Sequence, residues 1–314
     1  MRAHLACSAT TGSKRRFGWT IALQPLSLPA VALALIICTG AKISGEDNPQ
    51  QNASKKVEPT SNLNALVRGL LEREVRAQAD DKSLWCYRKL LDKDGKRELF
   101  ASCQTEAAEI DRLLGQDGKP LTQKQSKMED QRIKKLLNSP SQLKKQKQQQ
   151  LEDARQATRL LKMIPDAFVF QQESKLVDRI KLKFAPNPKF RPSGSSEMVF
   201  HRMEGTLTLD LKHQRLVEIS GHLTSEVKFG GGLLGHLDKG GTFLVEQQEV
   251  GPGCWKMTML DVQMNGKALF FKTISVRTKE IDTDFHPVPG AATIEQVAAL
   301  TNENAGKELS RVQK

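Results

Sequence analysis

Apolar positions along the chain follow two regimes, one with helical spacing and one with strict alternation. Leu63, Leu66, Val67, Leu70, Leu71 and Val75 recur every three or four residues, which gathers them on one side of a helix. A helix over 63–79 follows, with Asn62 placed to cap it. Thr122 and Gln125 have the spacing of a capping box, and Ser139-Pro140 marks a second start with proline in the first turn. Two more helices are predicted, to about Asn138 and then from Ser139 to Met163. The second stops before Pro165, since proline has no N–H to donate. Leu143, Leu151, Ala154, Thr158 and Leu161 give it a weak apolar side.

Elsewhere the period is two. Residues 83–91 and 97–104 flank Lys93-Asp94-Gly95-Lys96, and Asp-Gly suits a two-residue hairpin turn. A third strand is expected over 109–114. From Ala167 onward Phe168/Phe170, Ile180/Leu182/Phe184 and Leu207/Leu209/Leu211 alternate with polar residues. Strands are expected over 199–211, 216–229, 242–250, 255–264 and 267–279, the last two joined at Asn265-Gly266. Succession by tight turns makes the order antiparallel, and so many strands must curl or gain helical cover. The predicted class is α+β: a large curved antiparallel sheet, an unclosed β-barrel, with helices covering the concave side. It would span 63–289, with inserted basic helices over 123–164 and a tail over 290–314 holding one short helix near 293–300.

Charge and cysteine content refine this picture. The formal charge is +12, but residues 123–164 alone hold eleven Lys/Arg against four Asp/Glu. Four more cations, Arg2, Lys14, Arg15 and Arg16, precede an apolar run from Ile21 to Cys38. Cations, apolar run and the small residues Thr39, Gly40 and Ala41 form the three-part order of a secretory signal. Residues 1–41 therefore read as an export leader and 42–62 as a disordered spacer. The continuous apolar piece 29–38 is shorter than the ~20 residues a spanning helix needs. In an exported chain the hairpin register matters: it sets Cys86 opposite Cys103, at a non-hydrogen-bonded position. Either a cross-strand disulfide or two buried thiols follows; Cys254 is left over and expected to be buried.

No motif announces a chemistry. The run 229–241 is rich in glycine but lacks the Gly-Lys-Ser/Thr ending of a phosphate loop. It reads as a strand connection, or as a lid with Leu233 and Leu234 at its tip. His222 and His236, with Glu226 and Asp238 near them, are the only histidines that suggest a metal, and none is expected. Glu204, Asp210, Glu218, Glu246 and Glu249 fall on strands, where a polar outer face supplies carboxylates anyway. No nucleophile elbow or zinc-protease helix is present, so neither catalysis nor a cofactor is expected. Nucleic acid is not an expected partner, since stacking aromatics and known motifs are absent.

The segments 200–210 (FHRMEGTLTLD), 230–243 (GGGLLGHLDKGGTF) and 265–272 (NGKALFFK) resemble a group of uncharacterised secreted bacterial proteins. In element order the chain is similar to the LolA-like family of outer-membrane lipoprotein carriers. That resemblance implies an unclosed barrel with a helical lid over an apolar cavity, carrying lipoprotein acyl chains across the periplasm of a Gram-negative-type bacterium. No functional residue of that family can be placed on this sequence; the apolar sheet face itself offers Phe168, Phe170, Phe184, Leu207, Leu209, Phe243, Val245 and Phe270 either as the lining of a cavity or as a filled core. The expected function is non-catalytic binding of a lipid or acyl chain, the basic helices facing an anionic membrane surface. The alternatives are a cell-envelope scaffold with a filled core and, third, a hydrolase.

Overall fold

A computed structural model describes residues 60–302, apart from Ser193, 269–271 and Ala291. The expected leader, residues 42–59, Phe270 and the last twelve residues lie outside the described residues. Helix α1 (Thr60–Asp80) leads into β1 (Trp85–Lys93), β2 (Lys96–Gln104), β3 (Glu109–Gln116) and the short β4 (Lys119–Pro120). Helices α2 (Gln123–Leu137) and α3 (Pro140–Ala167) follow. Next come β5 (Phe168–Lys175), β6 (Arg179–Pro186), β7 (Met203–Asp210), β8 (Arg215–Leu223), β9 (Val227–Phe229) and β10 (Gly235–Leu237). The sheet ends with β11 (Thr242–Gly251), β12 (Cys254–Ala268) and β13 (Lys272–Pro287), and a last helix, α4, covers 294–302.

All thirteen strands join one antiparallel sheet in the order β4-β3-β2-β1-β13-β12-β11-β8-β7-β6-β5, with β9 and β10 attached at β12. The sheet does not close: β4 and β5 are its edges. The chain leaves by one edge and returns at the other through α2 and α3. At 1.5 Å per residue the 28 residues of α3 reach about 42 Å. The predicted α+β, unclosed antiparallel architecture is therefore the observed one. Sequence left unstated the central seam, where β1 pairs with β13 and sets Lys89 against Asp282.

Helices occupy both faces of the sheet, although the sequence put them on the concave side alone. On the first face, α1 and the end of α3 bury Val67, Leu70, Leu71, Leu160 and Ile164 against β5–β12. On the second face, α2 and α4 bury Ile133, Leu136 and Ala298 against Ile110, and Val297 against Cys86 and Cys103. Those cysteines are bonded, with Cα atoms 4.0 Å apart; Cys254 is a free thiol, half-buried. Helix α2 also covers the free edge of β3. Glu129 Oε1 accepts from the Leu113 N–H at 2.9 Å, and Arg132 donates to the Asp111 carbonyl. A covered edge cannot template strand pairing with another chain.

Four local expectations change. Helix α3 runs through Pro165 to Ala167; the proline lies in the last turn, so only two helical residues follow the hydrogen bond it cannot make, and Asn64 Nδ2 donates to its carbonyl at 2.9 Å. The buried side of α3 is set by Asp153, Leu160 and Ile164, while Leu151 and Ala154 are exposed. Residues 199–202 belong to a 3-10 turn, not to β7. Asn265-Gly266 is not a hairpin turn: β12 runs straight through it, Gly266 pairing with Ile274 and with Leu237 of β10. A Cβ at Gly266 would stand 2.1 Å from the His236 carbonyl oxygen, so glycine is there to admit a strand crossing close by. The Asp94-Gly95 turn forms as expected, with φ of 53° and 84°.

Candidate functional site

Strand register assigns side chains to faces and brings together seven of the eight expected cavity residues. Phe168, Phe170, Phe184, Leu207, Leu209 and Phe243 are buried in one cluster with α1 and α3, and Val245 packs against it half-buried. The Phe168 ring lies 4.5 Å from Phe184 and 5.4 Å from Phe200, centre to centre. These side chains are packed against each other and against the two helices. In the glycine-rich connection, β9 and β10 pair, Leu233 is exposed and Leu234 packs on the core.

A cleft of about 830 Å³ opens elsewhere, and none of those seven residues lines it. It lies on the second face, between β1–β4 and α2. Its walls include Leu90, Leu99, Leu113, Leu114, Pro120 and Leu121, and Asn302 stands at one side. Cross-strand pairing makes this patch: Leu90 sits opposite Leu99, and Leu114 is the extra residue of a bulge where Leu99/Phe100 pair with Gly115/Leu113. A bulge re-aims the side chains around it, which turns two consecutive leucines toward the cleft. Leu90 stays 39% exposed. Arg112 crosses the floor, held by Asp130 at 2.5 Å and by the Thr301 hydroxyl at 3.0 Å. Sequence reasoning missed the cleft because its walls come from segments that meet only in three dimensions.

Across the sheet from the cleft, on the first face, lies a second unpredicted feature. Lys89 is fully buried and donates to Glu109 Oε1 at 2.7 Å and Asp111 Oδ1 at 3.0 Å. The Tyr87 hydroxyl donates to the same Glu109 oxygen at 2.6 Å, and Ser102 donates to Asp111 at 2.5 Å. Glu280 and Asp282 of β13 are buried on this face too. Among the described residues Glu109 Oε2 has no hydrogen-bond partner, and both Glu280 oxygens and Asp282 Oδ1 meet no amide, hydroxyl or cation, the two carboxyl groups lying within hydrogen-bond reach of each other. Burial opposes the charge on Lys89, yet Asp111 and Glu109 outweigh it and hold the ammonium well above its ordinary pKa. Burial raises Glu109, lifts Glu280 to about 7 and, with the neighbouring Glu280, lifts Asp282 to about 9. Burial likewise pushes the Tyr87 phenol well up. A legible hint was available: Trp85, Tyr87 and Leu91 share the parity of Lys89, so an inward lysine was the consistent reading of β1.

The remaining candidates stay apart. His236 lies 3.6 Å from Glu226 and 3.3 Å from Asp238, while His222 is exposed on β8. Among the described residues no group of three or more His, Cys, Asp or Glu side chains converges as metal ligands do. A polar hollow of about 430 Å³ holds Asp210, His213, Glu218, Glu246, Glu249 and Trp255. There Asp210 closes the β7–β8 turn, accepting from the His213 N–H at 2.7 Å. Glu204 is exposed on β7. Among the described residues no helix is long and apolar enough to cross a membrane.

Comparisons with known proteins leave the family open. No family model matches the chain, and no curated protein matches it. A solved structure, a DUF1329 family protein from Desulfovibrio piger ATCC 29098, aligns over 75% of this chain and 98% of its own, at 10% identity and a TM-score of 0.22.

Proposed function

We propose that the protein is a non-catalytic carrier of an acyl chain or similar apolar ligand, held in the cleft between β1–β4 and α2. One observation carries the reading: about 830 Å³ of open space, within the ~300–1,000 Å³ range of ligand pockets, with Leu90, Leu99, Leu113, Leu114 and Leu121 on walls that also hold Arg97, Arg112 and Lys119. The walls hold no arrangement of nucleophile and base. The packed first face is the reason for moving the ligand from where the sequence put it. A place in the periplasm is supported by the three-part order of residues 1–41 and by the Cys86–Cys103 disulfide, since such bonds persist in oxidising compartments. A second reading, a cell-envelope scaffold without a small ligand, is favoured by the close packing of Phe168, Leu207 and Phe243.

The test is a chain-length series of fluorescent fatty acids titrated into delipidated protein. Each methylene taken from water contributes about 0.8 kcal/mol, so Kd should tighten about fourfold per methylene until the cleft is full. Leu99→Glu and Leu114→Glu should each weaken binding at least tenfold, while Leu207→Val on the packed face leaves it unchanged. Saturable uptake that ignores both cleft variants would reject this site, and absence of uptake would leave the scaffold.

A further inference from the structure

The outward sides of α2 and α3 form a docking surface for an anionic lipid bilayer, we infer, and this goes beyond the ligand reading above. Between Gln123 and Gln150 the chain has seven lysines and only two acids. Both acids are already paired: buried Glu129 with Arg132 and the Leu113 N–H, and exposed Asp130 with Arg112. The helix repeat puts Lys124, Lys127, Met128, Gln131, Lys134 and Lys135 on one stripe of α2, and all six are exposed. Glu129, Ile133 and Leu136 are buried on the opposite side. On α3, Lys144, Gln148, Leu151 and Arg155 make a matching exposed stripe, opposite Asp153 and Leu160. Seven lysines against two acids that are each paired with arginine leave a net positive field, and Glu152 offsets Arg155 on α3.

Two observations select a bilayer over a nucleic acid. Met128 is 59% and Leu151 47% exposed, so each lysine stripe carries an apolar side chain that can enter the headgroup boundary, as interfacial helices do. No aromatic residue occurs between Phe100 and Phe168, so these helices offer nothing for bases to stack on. The α2 stripe also points away from the cleft, which is lined by Ser126, Glu129 and Asp130 of the same helix. Docking therefore leaves the cleft open, and the two sites can be tested separately.

The experiment is co-sedimentation of the full chain with phosphatidylglycerol vesicles, with phosphatidylcholine vesicles as reference. K127Q/K134Q/K135Q/K144Q should lose roughly fivefold in partition for each lysine that reaches the surface, while the corresponding Lys→Arg set keeps it. M128S/L151S should retain binding at low salt and lose the part that survives high salt. L114E should dock as the unmodified protein does, so failure of the ligand reading does not disturb this result. Equal partition of the Lys→Gln set and the unmodified chain would overturn the proposal. So would binding to a DNA duplex as tight as to the vesicles at the same salt, which would make the surface a general polyanion site.

Discussion

One face of one sheet is built in two contrasting halves. A single row of side chains crosses both: Leu182, Leu207, Ile219, Val245 and Leu260 lead, by direct cross-strand pairing, to Glu280 and then Leu91. West of the β12–β13 boundary, so to speak, the row is hydrocarbon under α1 and α3. East of it the interior is ionic, with four carboxyl groups around Lys89. The contrast extends to how each half treats a buried charge. Glu74, in the apolar half, is fully satisfied: it accepts from Arg215 at 2.7 and 3.0 Å and from the Leu216 N–H at 3.0 Å. Glu280, equally buried, meets no amide, hydroxyl or cation among the described residues and has only another carboxyl, Asp282, within hydrogen-bond reach. An unsatisfied buried polar group costs about 1–3 kcal/mol, so the apolar half supplies stability and the ionic half consumes part of it. Strained or unsatisfied regions of that kind are where function is sought first.

The sharpest way to break the comparison is to remove the central cation. Lys89→Met keeps the stem and deletes the ammonium, leaving Glu109 and Asp111 buried without their partner. Breaking a buried pair in this way costs about 3–5 kcal/mol, read as the drop in unfolding free energy by urea titration. The loss should be smaller at pH 5 than at pH 8, because the abandoned carboxylates can take up protons. A cost below about 1 kcal/mol at pH 8 would show that the cluster is not an ionic unit. The corresponding cut in the apolar half is Leu207→Ala, at a fully buried position. It should cost about 3 kcal/mol, within the usual span for such truncations, and by the same amount at both pH values. A pH-dependent loss there would erase the distinction between the halves.

The two halves were also unequally legible. In β5–β8 the alternation of Phe168/Phe170, Ile180/Leu182/Phe184 and Leu207/Leu209 states the strands and their inner side outright, since only one parity is apolar. In β13 the parity that carries Ile274 also carries Thr278, Glu280 and Asp282, and the other carries Arg277, Lys279 and Ile281. Neither side is apolar, so local pattern has nothing to choose between. The deciding fact is the β1–β13 pairing, which joins residues nearly two hundred positions apart, and no local turn encodes it. The β1–β2 hairpin, by contrast, followed from Asp94-Gly95 alone, down to Cys86 facing Cys103. Asn265-Gly266 carried a similar turn signal for a different reason, the close passage of β10. The cleft drew on four separate segments, and its leucines looked like ordinary strand interior.

The mildest perturbation is pH itself, and its sign is fixed by the direction of the shifts. Unfolded Glu and Asp side chains titrate near 4, whereas Glu280 holds its proton to about 7 and Asp282 to about 9. Between those limits the folded protein binds more protons than the unfolded chain, so stability falls as pH rises. Each carboxyl that stays protonated contributes a decline of about 1.4 kcal/mol per pH unit. Glu280→Gln, neutral at every pH, should match the unmodified protein near pH 4 and exceed it above pH 7, with a pH profile of stability about 1 kcal/mol per unit shallower from pH 5 to 7. Parallel profiles for the two proteins would mean that Glu280 ionises as freely in the folded chain as in the unfolded one. The ionic half would then be wet and ordinary, and its contrast with the packed half would reduce to composition.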